Sequence, residues 1–394
     1  MVTCTGSNSL AGVMVALAVT QQHRAVASSQ QPGAPFYADP LFDAAHDAEF
    51  VWHVGEQCWW VTYLQNRYNS PLSDPDDCNG CFYLYTDLGL ASTPDNGSTW
   101  IYRGVMQGLG QPSAWGSLAT GMRQNGSAHG GATWWRPAVV YNPDDKLYHG
   151  FFAYLLQSRG ESGPTTQQEY HVTHYTSVDL INWKFAGFLP SGASRYDTVV
   201  FRIKDGRWLL VSAGAHPPTL QSRDLFKWEQ CNDTALTFAT DEGPHVTHWK
   251  QTMWMNWEPR CDDTNTTRYS CEKNLLKSVD GGLHWQEQPE SLFFGSRLSQ
   301  RYLDSGQAHQ GPLLPQGDSA LVLYFTENQF DLRSDMALIN KQRSVLQIAP
   351  VVQLANGSLR ADRSIAVATP LDMYCLPLCV SLCVYVFTYV SRTR

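Results

Sequence analysis

Residues Arg195–Ser212 read RYDTVVFRIKDGRWLLVS. Two apolar runs rich in Val, Leu, Phe and Trp flank a Lys204-Asp205-Gly206 turn, which is the pattern of a β-hairpin. A single acid, Asp197, opens the first run, where a buried strand has little tolerance for charge. The design recurs. An apolar strand, a polar turn and an aromatic strand appear at Ala48–Tyr63, Pro137–Ala153, Thr198–Ser212, His245–Trp257 and Gly311–Phe325. No long stretch has a helical period, so the chain reads as all-β.

A second unit alternates with the first. It is a Ser, an Asp and a Trp a few residues on: Ser92…Asp95…Trp100, Ser177…Asp179…Trp183, Ser222…Asp224…Trp228 and Ser278…Asp280…Trp285. The Asp or Ser caps a turn through backbone hydrogen bonds, and the Trp packs an outer strand on the neighbouring sheet. A fifth copy is missing, and Ser344–Gln353 is read as the last outer strands. Five hairpins with their outer strands make five four-stranded antiparallel sheets, and radial closure gives a five-bladed β-propeller. The first apolar strand of each unit is then innermost, lining a central channel. Phe36–Phe42 is placed to return and complete the last blade. The uneven repeat lengths leave a pair of β-sandwiches as the competing architecture. The inserts Asn66–Cys81 and Gly104–Thr133 read as loops on the channel face.

Composition narrows the class. With 394 residues, 43% of them hydrophobic, the chain can bury a large core, and 16% charged residues exclude a disordered chain. A formal charge of −8 without a basic stripe argues against a nucleic-acid partner. Leu10–Val19 is a short apolar run ending before Ala25-Val26-Ala27-Ser28, an A-x-A-like cleavage site, so residues 1–27 read as a signal peptide, although no Lys or Arg precedes the run. N-x-S/T sequons at Asn96, Asn125, Asn232, Asn265 and Asn356 also point to a secreted or extracytoplasmic glycoprotein. Cys58, Cys78, Cys81, Cys231, Cys261 and Cys271 form an even set that fits disulfides, and Cys261–Cys271 could close a polar loop. A zinc site at Cys78-x-x-Cys81 has no second ligand pair. Residues 28–370 are assigned to the propeller. In the tail, 371–394, Met373–Val390 is almost wholly apolar. It reads as a membrane anchor, a gene-model artefact or a final buried strand, and a membrane is a partner only in the first case.

Three acids open inner strands: Asp47 in AHDAEFVWH, Asp197 in RYDTVVF and Glu242 in DEGPHVTHW. In a propeller these starts face one axial funnel, so residues far apart in sequence converge. Carboxylates that share a pocket shift one another's pKa values, as paired acid and base roles require.

At these residues the chain resembles glycoside hydrolase family 43 and its relatives, the five-bladed propeller arabinanases, xylosidases and fructosidases. The resemblance rests on Asp47 followed by an apolar strand, Gly55 and Trp59-Trp60; on Arg195-Tyr196-Asp197 at the third blade; and on Asp241-Glu242-Gly243-Pro244 at the fourth. It covers roughly residues 36–360. It implies an inverting glycosidase with Asp47 as general base, Glu242 as general acid and Asp197 as the charge that keeps Glu242 protonated. Asp39, in Tyr37-Ala38-Asp39-Pro40, competes for the first position, but no apolar strand and glycine turn follow it at once.

Trp134-Trp135-Arg136-Pro137-Ala138 departs from the family's second-blade pattern. Arg136 could bind a substrate hydroxyl or carboxylate, pair with one of the three acids, or belong to a surface pair. Trp134 could stack on a sugar or pack in the core. His46 and His245 flank two of the acids as candidate substrate ligands. His309 opens the fifth inner strand, where relatives place a His that holds water or a structural calcium ion. No other metal or cofactor is implied. G-x-S-x-G, Walker A, H-E-x-x-H and EF-hand motifs are absent. Two rival readings stay open: a propeller that binds glycans without cleaving them, and a retaining fructosidase or transferase with Asp47 as nucleophile.

Overall fold

The computed structural model describes residues 25–27, 37, 44–66, 86–93, 99–109, 132–160, 163–190, 197–213, 218–236, 238, 240, 242–258, 274–288, 292, 308–309, 311–327 and 344–363. They form a five-bladed β-propeller of four-stranded antiparallel sheets. Blade 1 runs Ala44–His53, Cys58–Asn66, Thr86–Thr93 and Thr99–Val105 from the channel outward. Blade 2 runs Ala132–Asn142, Leu147–Gly160, Gly163–Ser177 and Trp183–Phe188. Blade 3 runs Thr198–Arg202, Trp208–Ser212, Leu220–Ser222 and Glu229–Gln230. Blade 4 runs Glu242–Trp249, Thr252–Glu258, Asn274–Ser278 and Gln286–Glu287. In blade 5 the inner position is shared by Ala308–His309 and Leu313–Gln316, followed by Ser319–Glu327, Ser344–Gln353 and Leu359–Ala361. Ser344–Gln353 is therefore one strand, the third of its blade, rather than the last outer pair expected of it.

The core is divided into five clusters, one at each seam between neighbouring blades. This explains the unbroken apolar run at Val199–Phe201. Val199 and Phe201 pack toward Met253, Met255 and Trp257 of blade 4, while Val200 packs toward Phe151 and Val172 of blade 2. The next strand repeats the split, with Leu209 and Val211 on one side and Trp208 and Leu210 on the other. A strand buried on both faces has no polar alternation to show.

The Ser-Asp-Trp unit is a capped turn between the third and fourth strands. The Asp179 carboxylate accepts from the backbone N–H of Ile181 and Asn182, Asp224 from Phe226 and Lys227, and Asp280 from Leu283 and His284. Each Trp indole then donates to the carbonyl three residues before it: Trp183 to Leu180, Trp228 to Leu225 and Trp285 to Gly282. That carbonyl belongs to a residue with positive φ in all three blades. Trp228 meets Phe151 of blade 2 edge-on, and Trp285 meets Phe201 of blade 3, so the unit pegs a blade to its predecessor. Gly282 sits at such a seam, where a Cβ would lie 2.6 Å from Ile203 of blade 3.

Of the Phe36–Phe42 stretch, expected to return to the last blade, Tyr37 alone is among the described residues, and it reaches blade 5. Tyr37 pairs with Leu346 through backbone hydrogen bonds of 3.2 and 3.0 Å, and its hydroxyl meets that of Tyr63 at 2.9 Å. Ala44 pairs in parallel with Ser344, joining blades 1 and 5 into one sheet. Ala25–Ala27, expected at a cleavage site, pairs with Thr99–Ile101 on the outer edge of blade 1.

Cys58 and Cys231 are buried thiols. The other four cysteines of the expected disulfide set, the sequons at Asn96, Asn125 and Asn265, residues 1–24 and the tail from 364 lie outside the described residues. Asn232 and Asn356 are exposed. Among the described residues no helix is long and apolar enough to cross a membrane.

A titratable chain lies in blade 2 beside the Asn142–Leu147 turn. His149 Nε2 meets Asp145 Oδ2 at 2.9 Å and His149 Nδ1 meets His174 Nε2 at 2.9 Å, with Phe151 stacked on His174 at 4.6 Å. Burial, reinforced by His149, pushes His174 down to about 3, against the opposing pull of Asp145 and Asp224. A neutral buried His stabilises the fold above its unfolded value of 6.5 and loses that contribution as pH falls toward the folded value. Urea denaturation will therefore show stability declining between pH 6.5 and about 3, with a shallower decline in His174→Gln. Leu210, fully buried at the seam of blades 2 and 3, gives a separate test: Leu210→Ala will lower unfolding free energy by about 2–5 kcal/mol at neutral pH.

Candidate active site

Three inner strands, those of blades 1, 2 and 4, are irregular at the same end, whereas the blade 3 strand that follows Asp197 keeps an unbroken register. The register of blade 1 slips between His46 and Glu49, that of blade 2 between Trp134 and Pro137, and that of blade 4 between Glu242 and His245. Each slip leaves two residues unmatched in the ladder, the geometry of a β-bulge, which bends the strand and re-aims its side chains. Asp47 in the first bulge has φ 50° and Gly243 in the fourth has φ 55°. Asp197, one residue before its strand, has φ 49°. The left-handed region suits glycine and tolerates Asp and Asn, whose short polar side chains can bond locally, far better than branched residues.

Asp47 and Asp197 are 5% and 4% exposed, whereas Glu242 is exposed at the start of its strand, opposite Glu258. Asp197 reaches into the fourth blade: its Oδ2 accepts from the N–H of Gly243 at 3.0 Å. The peptide that follows Glu242 is thus held by the carboxylate of Asp197. In the other direction the carbonyl of Asp197 accepts from Ala213 N–H, tying it to its own hairpin.

Directly along from these bulges lies a buried polar cluster. Arg136 of blade 2 is fully buried, and its Nη2 lies 2.8 Å from Glu49 Oε2 of blade 1 and 2.5 Å from His245 Nδ1 of blade 4. His245 Nδ1 is 3.1 Å from the same Glu49 oxygen. Arg136 Nη1 donates to the carbonyl of Pro244. Burial opposes ionisation of Glu49 and is the largest single influence, but His245 and Arg136 together outweigh it and hold the carboxyl below its ordinary value. These contacts join blades 1, 2 and 4 across the channel. They bring the bulge with Asp47 and the bulge after Glu242 to one level.

The other expected site residues are placed as follows. His46 is buried, with its ring on Phe325 of blade 5 at 5.6 Å. His245 and Arg136 are in the cluster, so Arg136 pairs with Glu49 rather than with one of the three acids or a surface partner. Trp134 pairs with Tyr154 and His309 with Phe325 in the backbone ladder. The side chains of Trp134 and His309, along with Asp39, Arg195, Tyr196, Asp241 and most of the two inserts, lie outside the described residues. Glu49 was missed by the sequence reading. Its signal was a second acid in an apolar inner strand, two residues after Asp47. Two surface cavities of about 570 and 590 Å³ lie along the outer part of blade 3 and between blades 3 and 4, and the three acids line neither. Among the described residues no group of His, Cys, Asp and Glu could hold a metal ion.

No protein-family model matches the chain, and no curated protein matches it by sequence. Solved structures do match. A xylan β-1,4-xylosidase from Bacillus halodurans superposes with a TM-score of 0.54 at 18% identity, over 84% of this chain and 58% of the xylosidase. A family 43 glycoside hydrolase from Bacillus licheniformis gives 0.52 at 14% identity, over 83% of this chain and 57% of that one. A family 43 β-1,3-galactosidase, solved with galactodeoxynojirimycin, gives 0.51 at 12% identity, over 82% of this chain and 97% of the galactosidase. The chain therefore spans under two thirds of the two Bacillus proteins and nearly all of the galactosidase. The class this defines is a five-bladed propeller with the fold of family 43 glycoside hydrolases.

The left-handed backbone at Asp197 gives a direct test. Asp197→Asn will unfold within about 0.5 kcal/mol of the wild type, because Asn accepts the same φ and can keep the Gly243 bond. Asp197→Val will lose about 1–3 kcal/mol in the same denaturant titration.

Proposed function

We propose that this chain is an exported glycoside hydrolase that cleaves O-glycosidic bonds of an oligo- or polysaccharide with inversion. The observation that carries the reading is the hydrogen bond from Gly243 N–H to Asp197 Oδ2. It couples the buried acid of blade 3 to the exposed acid of blade 4, at the level where Asp47 stands in the bulge of blade 1. The fold shared with family 43 enzymes supports it.

In this mechanism Asp47 takes a proton from water, and the water oxygen attacks the anomeric carbon. Glu242 gives its proton to the departing glycosidic oxygen on the opposite face. One bond forms, one breaks, and both carboxyl groups return to their starting states by exchange with solvent. The general acid must be protonated when substrate binds. A negative Asp197 held beside the Gly243 peptide opposes ionisation of Glu242 and meets that need. The exposure of Glu242 leaves it open to a leaving group, while the burial of Asp197 suits a group that acts on its neighbour.

Aryl glycosides and plant or algal polysaccharides form the substrate panel. Glu242→Gln will abolish hydrolysis of polysaccharides while leaving the circular dichroism spectrum and melting temperature of the wild type. Full turnover in that variant removes Glu242 from the acid role. Proton NMR at early time will show the product anomer opposite to that of the substrate. A product of retained configuration, or a covalent sugar trapped on Asp47, replaces inversion with a double-displacement reaction.

A further inference from the structure

Arg136 is a buried side chain that links three blades through charged or polar groups: its own, Glu49 of blade 1, and both Pro244 and His245 of blade 4. Its surroundings are built for it. The guanidinium is fully buried, Glu49 is ionised against the cost of burial, and the carbonyl it holds belongs to the fourth-blade bulge. A surface ion pair has none of these properties and is worth little. A buried guanidinium is costly unless matched, and removing its partner leaves an uncompensated charge in a medium that screens poorly.

The position of the pair matters as much as its strength. Glu49 lies two residues beyond Asp47, and Pro244 two residues beyond Glu242. The pair therefore grips both bulges and sets a balanced charge beside the acids. The charged and titratable residues of the inner strands that face this level are His46, Asp47 and Glu49 of blade 1, Arg136 of blade 2, Asp197 of blade 3, and Glu242 and His245 of blade 4. His309 opens blade 5.

We propose that Arg136 and Glu49 are positioning residues that fix the spacing of the two bulges and offset one another's charge beneath the three acids. Neither touches substrate. The inference rests on the glycosidase reading for its kinetic consequence, but its electrostatic consequence stands without turnover. Removing Glu49's charge leaves an extra positive charge, which favours ionised carboxylates. Removing Arg136's charge leaves an extra negative charge and does the reverse.

The test uses Glu49→Gln, Arg136→Gln and the double variant in the full chain, with two readouts. One is the pH profile of hydrolysis. The other is titration of the Asp and Glu carboxyl carbons by ¹³C NMR in protein labelled at those groups. Glu49→Gln will move both the profile and the site carboxyl titrations to lower pH by about 0.5–1 unit, and Arg136→Gln will move them up by a similar amount. The double variant will return them to within about 0.3 unit of the wild type. A purely structural role predicts lower stability with no opposed shifts, so shifts of one sign, or none, overturn the proposal. Glu49→Asp and Arg136→Lys keep the charge but shorten or unfork the contact. They will leave the titrations unmoved and lower kcat about tenfold at unchanged KM. If the Gln variants do not fold, this pair of results decides: a profile that moves with charge preserved overturns the proposal. If the wild type cleaves no glycoside on the panel, opposed carboxyl shifts uphold the charge balance while the glycosidase reading falls. Active wild type with unmoved titrations removes the charge balance alone.

Discussion

An inner propeller strand is wedged between two neighbours and has no face left for water. That constraint governs the rest of the molecule. It makes the strands read as unbroken apolar runs, with Val199 and Phe201 given to one seam and Val200 to the other. It divides the core into five seams rather than one centre. It also confines polar chemistry to the strand ends, or to groups that pair with one another. Asp47, Asp197 and Glu242 take the first route, and Glu49, Arg136 and His245 the second.

In blades 1 and 4 a bulge reconciles an acid with such a strand, while Asp197 stands just ahead of a regular one. In a regular ladder, successive side chains alternate between the two seams, and a carboxylate at either would be buried against apolar neighbours. Inserting an unmatched pair of residues turns the backbone out of the ladder. Its left-handed φ then costs little, because Asp or Gly occupies it. The equivalent slip in blade 2 carries Trp135 and Arg136. One local irregularity therefore delivers an acid in the first blade, the guanidinium in the second and a close-approach glycine in the fourth.

The fold was legible because its two repeating units have separate local causes. The hairpins announce themselves by turn residues between apolar runs, and the Ser-Asp-Trp unit by a capped turn and an indole that needs an acceptor. Blade 5 lacks the second unit, and there the reading blurred: Ser344–Gln353 is one long strand. The order of Asp47, Asp197 and Glu242 on inner strands could be read for the same reason. The partners of Arg136 could not. Glu49, Pro244 and His245 reach it only because register slips in three blades bring remote residues to one level, and nothing local to Trp134–Ala138 reports a slip in another blade. The burial of His46 beneath Phe325 has the same origin, since that seam joins the two ends of the propeller.

The closure at Tyr37 has a consequence in time. Its partner, Leu346, lies in the third strand of the last blade, almost the whole domain later in the chain. Blades formed from local hairpins can assemble as they are synthesised, but this bond cannot form until the final blade exists, and contacts between such distant residues form slowly. The seam between blades 1 and 5 is thus the last to be completed. Until then Tyr37 and Phe50 lack the cover that blade 5 gives them, so a newly made chain stays open at one seam through most of its synthesis.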